Sequence, residues 1–345
     1  MIKIEKSHVQ EALDYFGINK KVENILIMTN DQEERKGKKA VRIVTAAFFE
    51  DGEKLIVRFL NEREFILDVT HLKVTTQIIE NQSIFSEVLR KEGMIVPRKY
   101  SKNGSYCMPW NLDGIPLDVT VEEYLGKPLE KFSPELFGQY GCMIGQLHSI
   151  SLAHHCWTDF SIVFEEVKEN RTDFRKLFHG LDMGNISEEL LDDVAKYHDI
   201  RKQEVVEIWT DLPRSAVQGD LYSCNNVAMT ERGIGFYDFN VAADEVLLGD
   251  MLHVWFRTIY DVNNEDQINT WDIEKCWNDY LNGYEQFRKW TEQEQKALAK
   301  VYVLLGSIYI GRYAAELIRQ KRYDDAERQL RQALVQLKTE ERTQE

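Results

Sequence analysis

The chain has 345 residues, of which 29% are charged, and its formal net charge is −15. Its length suggests two domains or lobes with an ample core, and its 43% of hydrophobic residues indicates a globular protein. The acidic balance argues against nucleic acid as the main partner. It would favour a cationic substrate by electrostatic steering, unless it serves only solubility.

Hydrophobic periodicity predicts one helix and three strands at the start of the chain. The helix covers residues 5–16. The strands cover residues 22–28, 40–49 and 54–60. The charged segment 30–39 predicts a flexible turn, and Asp51-Gly52 predicts a tight hairpin.

The rest of the chain is first mixed and then mainly helical. A helix over residues 74–92 ends at Gly93, and strands over 105–111 and 115–124 follow. Beyond residue 126 the pattern is helical apart from the segment 217–250. The predicted helical segments are 133–150, 159–212, 251–259, 272–290 and 291–338. These elements predict an α+β fold.

Three polar residues in the segment 217–250 have the spacing of a phosphoryl-transfer site. Asp220 lies five residues before Asn225, which lies thirteen residues before Asp238. A carboxylate can accept the proton of an attacking hydroxyl, while a carboxamide and a second carboxylate hold Mg²⁺ through oxygen ligands. Predicted strands over 226–229 and 234–237 join the two halves of the motif, as this chemistry requires. The alternative is an Asp–Asn pair that only stabilises a turn.

The sequence Gln218-Gly219-Asp220-Leu221, followed by Asn225 and later Asp238-Phe239, resembles the aminoglycoside phosphotransferase and choline kinase family. The family motif has His where this chain has Gln218, a supporting position. Asp250, twelve residues beyond Asp238, matches a family Asp that supports the catalytic loop. The resemblance implies a two-lobed protein-kinase-like fold. Residues 1–124 would form a small lobe with an antiparallel sheet plus a helix, and residues 125–345 a large, mainly helical lobe.

The same resemblance implies a nucleotide site in the first lobe. Arg58 falls where a kinase strand carries its phosphate-pairing Lys, although a solvent-facing Arg is the alternative. A helix Glu would pair with Arg58, and Glu80 is favoured over Glu87, although a solvated acidic face of the helix is an equal alternative. The backbone of the hinge would bond adenine. The hinge residues are Glu122, Glu123 and Tyr124. No glycine-rich phosphate loop of the protein-kinase type is present, which speaks against a protein kinase.

Cysteine usage and hydropathy bear on the compartment. There are five cysteines, an odd number, without a CxxC pair or a signal-peptide core, which predicts reduced thiols and a cytoplasmic protein. The most apolar run, residues 301–311, is too short to span a bilayer, so no membrane association is expected. The oligomeric state remains open.

These features together predict an ATP- or GTP-dependent kinase that uses Mg²⁺ and phosphorylates a hydroxyl of a small molecule, for which both a cationic and an uncharged acceptor remain open. Aminoglycoside-, choline- and homoserine-like acceptors all remain open, because acceptor contacts come from scattered helix residues. The alternative is a pseudokinase that binds nucleotide or serves as a scaffold. Gln218 and Arg58 favour that alternative, whereas the complete Asp220, Asn225 and Asp238 set favours an enzyme.

Overall fold

The computed structural model describes residues 2–35, 38–61, 63–67, 70–163, 167, 174–261 and 270–339. The chain divides into two compact units, and each draws on several parts of the sequence. The first unit comprises Met1–Leu129, Ala153–Phe160 and Asn226–Ala243. The second unit comprises Glu130–Leu152, Ser161–Asn225 and Asp244–Glu345. The division therefore departs from the predicted ranges 1–124 and 125–345, since a hairpin from the motif segment belongs to the first unit.

A five-stranded antiparallel sheet forms the centre of the first unit, with strand order β1-β2-β3-β7-β6. Its strands are β1 (Asn24–Arg35), β2 (Lys38–Phe48), β3 (Lys54–Leu60), β6 (Met108–Leu112) and β7 (Ile115–Glu123). Smaller elements of this unit are β4 (Arg63–Leu67), β5 (Thr70–Val74), β8 (Lys127–Pro128), β10 (Val227–Thr230) and β11 (Gly233–Phe236). Two helices complete it, α1 (Lys6–Tyr15) and α2 (Thr76–Lys91). β8, β10 and β11 form a three-stranded sheet, which is why the hairpin belongs here.

The prediction of a flexible turn over residues 30–39 is wrong for residues 30–35 and 38–39, while residues 36 and 37 lie outside the described residues. β1 continues to Arg35 and pairs with β2 from Lys38 onward. Pairing with a neighbouring strand satisfies backbone N–H and C=O groups whatever the polarity of the side chains, so a charged segment can remain in a ladder. A β-bulge between Ile27 and Thr29 interrupts the register.

The two faces of the five-stranded sheet differ, because successive residues of a strand point to opposite sides. One face is covered by α1 and forms the larger core. Its buried residues include Val41, Ile43, Val57, Phe59, Val119 and Val121. The opposite face carries only a small apolar cluster of Val44, Ala46 and Ile56, with Phe48 and Tyr124 against it. This second face therefore has room for polar side chains and a ligand.

The second unit is mainly helical. Its helices are α3 (Leu136–Ala153), α4 (Glu188–Trp209), α5 (Leu247–Ile259), α6 (Ile273–Phe287), α7 (Glu292–Arg319) and α8 (Tyr323–Lys338). A short ladder joins β9 (Arg214–Val217) to β12 (Ala243–Val246). Gly141 allows α3 and α6 to meet at backbone distance, since a Cβ there would lie 2.0 Å from the carbonyl oxygen of Tyr280.

The fold class predicted from the sequence is confirmed. The described residues contain the five-stranded antiparallel sheet and eight α-helices, and the helices gather mainly in the second unit. Among these helices, α7 is long and apolar enough to cross a membrane by length and composition, but 72% of its most apolar stretch is buried inside the protein.

Candidate active site

The second face of the five-stranded sheet lines an open cleft in the first unit, with an empty volume of about 660 Å³. The cleft is lined by the apolar or aromatic residues Val44, Ile56 and Tyr124 and by the side chains of Arg42, Arg58, Glu122, Tyr237 and Asp238. Val44 lies opposite Arg58 and Ile56 lies opposite Glu122, so apolar and charged groups alternate along the cleft. Along the paired strands, Arg42 and Tyr124 lie at opposite ends of this lining.

Arg58 forms the centre of a buried charge network. Its Nε and Nη2 donate to Oε1 of Glu122 at 3.2 and 2.6 Å, and its Nη1 donates to Oδ1 of Asp238 at 2.6 Å. The Lys99 ammonium binds the other oxygen of Glu122. Burial lowers the pKa of Arg58, but the carboxylates of Asp238 and Glu122 outweigh it and raise that pKa above its ordinary value. Arg58 therefore stays charged and is held on both sides.

Burial also acts on Glu122, in the direction of a higher pKa. The positive charges of Arg58 and Lys99 outweigh it and lower the pKa of Glu122 to about 2. A buried carboxylate with two cationic partners and several hydrogen bonds is the arrangement in which a buried charge is tolerated. Glu122 is therefore a structural anion that fixes Arg58 and Lys99.

The predicted pairing of Arg58 with a helix glutamate is wrong. Glu80 of α2 instead accepts hydrogen bonds from the backbone N–H groups of Tyr106 and Cys107, at 2.8 Å each. Glu87 binds Arg90 and accepts from the backbone N–H of Lys99 at 2.7 Å. Both helix carboxylates therefore anchor the segment before β6, and strand β7 supplies the partner of Arg58.

The predicted hinge lines the cleft, but two of its donors are already used. The N–H of Glu123 donates to the carbonyl of Arg98 at 3.0 Å, and that of Tyr124 donates to the carbonyl of Lys54 at 3.4 Å. Within the described part of the chain, the N–H of Leu125 has no hydrogen-bond partner. The prediction that this segment binds adenine therefore stays a prediction, with Leu125 as its better donor.

In the second unit, Asp220 lies in the loop after β9, and both of its carboxylate oxygens accept hydrogen bonds. Oδ1 accepts from Nη1 of Arg257 at 2.7 Å, and Oδ2 accepts from Nδ2 of Asn225 at 2.9 Å. The backbone N–H of Asp220 donates to Oε1 of Gln218 at 2.8 Å, so the amide that replaces the family His supports the loop directly. The Asp220 side chain is 33% exposed, so its carboxylate remains accessible.

The backbone around the motif takes conformations that L-residues rarely adopt. Gly219 has φ +83°, and the non-glycine residues Ser223, Asn226 and Asp238 have φ of 43°, 57° and 60°. Left-handed conformations at non-glycine residues cost free energy and gather at functional sites. Ser223 is fixed by tertiary contacts, because its N–H donates to Oγ1 of Thr258 and its carbonyl accepts from the Tyr140 hydroxyl.

Asp250 belongs to a buried network in the second unit. Its Oδ2 lies 3.0 Å from Nε2 of His148, whose Nδ1 lies 2.9 Å from the hydroxyl of Tyr284. Tyr284 also accepts from Arg288 at 2.6 Å. Burial lowers the pKa of His148, against the opposite effect of Asp250. His148 therefore has a structural environment, in which Asp250 is its hydrogen-bond partner.

The predicted site residues thus fall in two sets. Asp220, Asn225, Gln218 and Asp250 lie in the second unit, whereas Asp238, Arg58, Glu80 and the hinge lie in the first. Within the described residues, no group of three or more His, Cys, Asp or Glu side chains could hold a metal ion. Asn225 and Asp238 belong to different units, so the prediction that they hold Mg²⁺ stays a prediction.

Three charged residues that bind the predicted site residues were not predicted from the sequence. Arg42 had a signal, because it alternates with Val41 and Ile43 and so faces the same side as Val44. Lys99 and Arg257 had none, since each reaches its partner through contacts distant in sequence.

No protein-family model matches the chain, and no curated protein matches its sequence. Solved structures do match. A microcompartment-associated aminopropanol kinase has a TM-score of 0.60 at 14% identity, over 96% of this chain and 95% of that one. An amicoumacin kinase in complex with AMP-PNP and Ca²⁺ has a TM-score of 0.59 at 14% identity, over 97% and 93%. An aminoglycoside phosphotransferase from Alicyclobacillus acidocaldarius has a TM-score of 0.53 at 14% identity, over 90% of each chain.

At these identities the likeness concerns the fold. The chain has the fold of kinase-like phosphotransferases, as the motif in residues 217–250 predicted. Because a fold can carry several functions, the activity has to be argued from the residues of the site.

Proposed function

We propose that the protein is an ATP- and Mg²⁺-dependent kinase that phosphorylates a hydroxyl group of a small molecule. The observation that carries the proposal is the arrangement of Asp220 in a chain with this fold. Its carboxylate is accessible and is oriented by Asn225 and Arg257. A carboxylate so held can accept a hydrogen bond from an acceptor hydroxyl and take its proton as the phosphoryl group transfers.

The metal assignment is part of the proposal and rests on residue spacing and donor chemistry. Nδ2 of Asn225 donates to the Asp220 side chain and to its carbonyl at 2.7 Å, which leaves the amide oxygen as the ligand atom. Asp238 would contribute a carboxylate. Mg²⁺ bound there would neutralise phosphate charge, which is its usual contribution in phosphoryl transfer.

The cleft of the first unit supports the nucleotide part of the proposal. Its apolar or aromatic residues Val44, Ile56 and Tyr124 suit a base, and its two arginines, Arg42 and Arg58, suit phosphates. Two of the solved structures with this fold contain a nucleotide, AMP-PNP in one and ADP in the other. The choice between ATP and GTP is left to experiment.

The acceptor is proposed only as a class. The neighbours in fold include an aminopropanol kinase and an aminoglycoside phosphotransferase, which makes small aminated alcohols the first compounds to test. The net charge of −15 would steer cations to the protein, whereas Arg257 places a cation beside Asp220. A useful panel therefore contains amines, amino acids, hydroxy acids, sugars and aminoglycosides.

One observation favours the second candidate, a nucleotide-binding pseudokinase. The carboxylate of Asp238 lies 2.6 Å from Nη1 of Arg58 and 3.5 Å from Nη2 of Arg42. A carboxylate neutralised by arginines is a weaker metal ligand. If that pairing persists with nucleotide bound, phosphoryl transfer would be lost while binding is kept.

The test has a binding step and a turnover step. Binding of Mg·ATP or Mg·GTP must raise the melting temperature, and Asp238→Asn should reduce the magnesium-dependent part of that rise. The acceptor panel is then screened for ADP release. Asp220→Asn should reduce turnover at least about 100-fold without changing nucleotide binding, since general acid–base catalysis contributes that much.

The control is Asp193→Asn, an equal change at an exposed position of α4. Nucleotide binding without turnover for any acceptor would favour the pseudokinase. Absence of binding with either nucleotide would contradict both candidates.

A further inference from the structure

Arg42 of β2 makes fewer short hydrogen bonds than Arg58, the other arginine that lines the cleft. Its side chain is 27% exposed. Nη2 reaches Asp238 only at 3.5 Å, and Nη1 reaches Asp31 only at 3.6 Å. Within the described part of the chain, its buried Nε has no hydrogen-bond partner. A buried donor without an acceptor is unfavourable, and a ligand with acceptor oxygens in the cleft would satisfy it.

Arg58, the residue that the sequence favoured as the phosphate ligand, differs in this respect. Its side chain is only 8% exposed, and Nε, Nη1 and Nη2 all donate to carboxylates at 3.2 Å or less. Three of the five N–H groups of the Arg58 guanidinium are thus engaged by Glu122 and Asp238, and the side chain is more deeply buried than that of Arg42. Arg42 can accept a phosphate while keeping the rest of the network unchanged.

The strand register places Arg42 correctly for this task. Val44 pairs with Arg58 across β2 and β3, and Ala46 pairs with Ile56. Arg42, Val44 and Ala46 therefore follow one another along the cleft face. Arg42 and Ala46 are four residues apart, which is roughly 13 Å along a strand. A ligand with an apolar ring at one end and anionic groups at the other matches this order.

We propose that Arg42 binds the phosphate chain of the nucleotide, and that Arg58 instead positions Asp238 and Glu122. The proposal rests on the proposed function, because it concerns the same nucleotide cleft. A guanidinium can donate two parallel N–H···O bonds to a phosphate, which a Lys ammonium cannot do. Arg42 thereby supplies the phosphate contact that β3 carries in protein kinases.

The experiment compares ligands that share a base and differ in phosphate. Binding of ATP, ADP and adenosine is measured by calorimetry to wild type, Arg42→Gln and Arg42→Lys. Arg42→Gln should weaken ATP and ADP binding roughly 10- to 100-fold, the loss expected for charge-assisted hydrogen bonds, and leave adenosine binding unchanged. The loss of ATP and ADP affinity in Arg42→Lys should lie between these values, since lysine keeps the positive charge but lacks the paired N–H donors of a guanidinium.

The matched control is Arg232→Gln in the exposed turn between β10 and β11 of the same unit. It removes the same charge away from the cleft and should leave all three affinities unchanged. The salt dependence of ATP affinity adds a second readout. This dependence should be smaller for Arg42→Gln than for wild type and unchanged for Arg232→Gln.

Equal binding of ATP by wild type and Arg42→Gln would overturn the proposal, as would an equal loss for ATP and adenosine. If Arg42→Gln does not fold, Arg42→Lys decides: its ATP affinity must fall more than its adenosine affinity. Wild type that binds none of the three ligands contradicts the proposed function itself, which separates the two failures.

Discussion

Arg257 and Asp220 form an ion pair in which Nη1 lies 2.7 Å from Oδ1, and the guanidinium centre lies 3.7 Å from the ring centroid of Tyr222. The stacked ring limits how the guanidinium can turn, so one carboxylate oxygen of Asp220 is fixed from α5. Asn225 fixes the other oxygen from the loop itself. The position of the proposed base is thus set by two elements of the second unit.

Arg257→Gln is therefore expected to lower turnover by about 10- to 100-fold, because a small misplacement of a reacting group can have that effect. Nucleotide affinity should not change, since Arg257 is not among the residues that line the cleft. Turnover is measured as ADP release with the best acceptor, and affinity by calorimetry. Arg319→Gln, an exposed arginine of α7, is the control. Unchanged turnover in Arg257→Gln would contradict this positioning role.

Local patterns predicted the motif and most elements. Spacing between Asp220, Asn225 and Asp238 needs no knowledge of distant contacts, and the helices and strands of the first unit follow from periodicity. The strands over the charged residues 30–35 and 38–39 were not predicted, because strand pairing with a neighbour outweighs local composition.

Partners of buried charges could not be predicted in the same way. Arg58 binds Glu122 because β3 and β7 pair with Ile56 opposite Glu122, a register that joins residues far apart in sequence. By residue type and position Glu80 was an equally good partner for Arg58, but its carboxylate accepts hydrogen bonds from the backbone N–H groups of Tyr106 and Cys107. Choosing between the two carboxylates required the fold.

The network around Glu122 predicts a specific effect of acid on stability. The pKa of Glu122 falls from 4.5 to about 2 on folding, so its contribution is complete above pH 4.5 and is lost as the pH falls toward 2. Glu122→Gln should lower the free energy of unfolding at pH 7 by about 3 kcal/mol, because it also leaves Arg58 and Lys99 without their shared carboxylate. The measurement is denaturant unfolding at several pH values.

The difference between wild type and Glu122→Gln should shrink below pH 4.5. Glu50→Gln, an equal change at an exposed residue near the β2–β3 turn, should have an effect within about 0.5 kcal/mol at every pH. A Glu122→Gln protein as stable as wild type at pH 7 would show that the network does not stabilise the fold.

Two buried histidines of the second unit predict a milder pH effect. Burial lowers the pKa of His148, and burial lowers that of His253 further, helped by the charges of Arg257 and Arg312. Since both pKa values fall on folding, the stability they contribute is complete above pH 6.5 and is lost as the pH drops. Below pH 6.5, each histidine should lower the free energy of unfolding by up to about 1.4 kcal/mol for each unit by which the pH falls.

Denaturant unfolding at pH 7.5 and pH 5.5 tests the effect. His148→Asn should lose less free energy of unfolding between these two values than wild type does. His179→Asn, at an exposed histidine of the same unit, should retain the wild-type difference. An identical pH dependence for wild type and His148→Asn would rule out the titration of His148 as its source.

Gly219 gives a way to separate backbone strain from loss of function. Its φ of +83° is one that an L-residue adopts at a cost of about 1 kcal/mol, and it directly precedes Asp220. Gly219→Ala should therefore destabilise the protein by about 1 kcal/mol and also lower turnover by about 10- to 100-fold, because relief of the strain moves the Asp220 carboxylate. Gly180→Ala is the matched control, since Gly180 has φ +76° and a Cβ there meets nothing within 4 Å. It should show the same loss of stability with wild-type turnover. If both variants lost turnover equally, general destabilisation would explain the result, and the loop geometry at Asp220 would not be the determinant of activity.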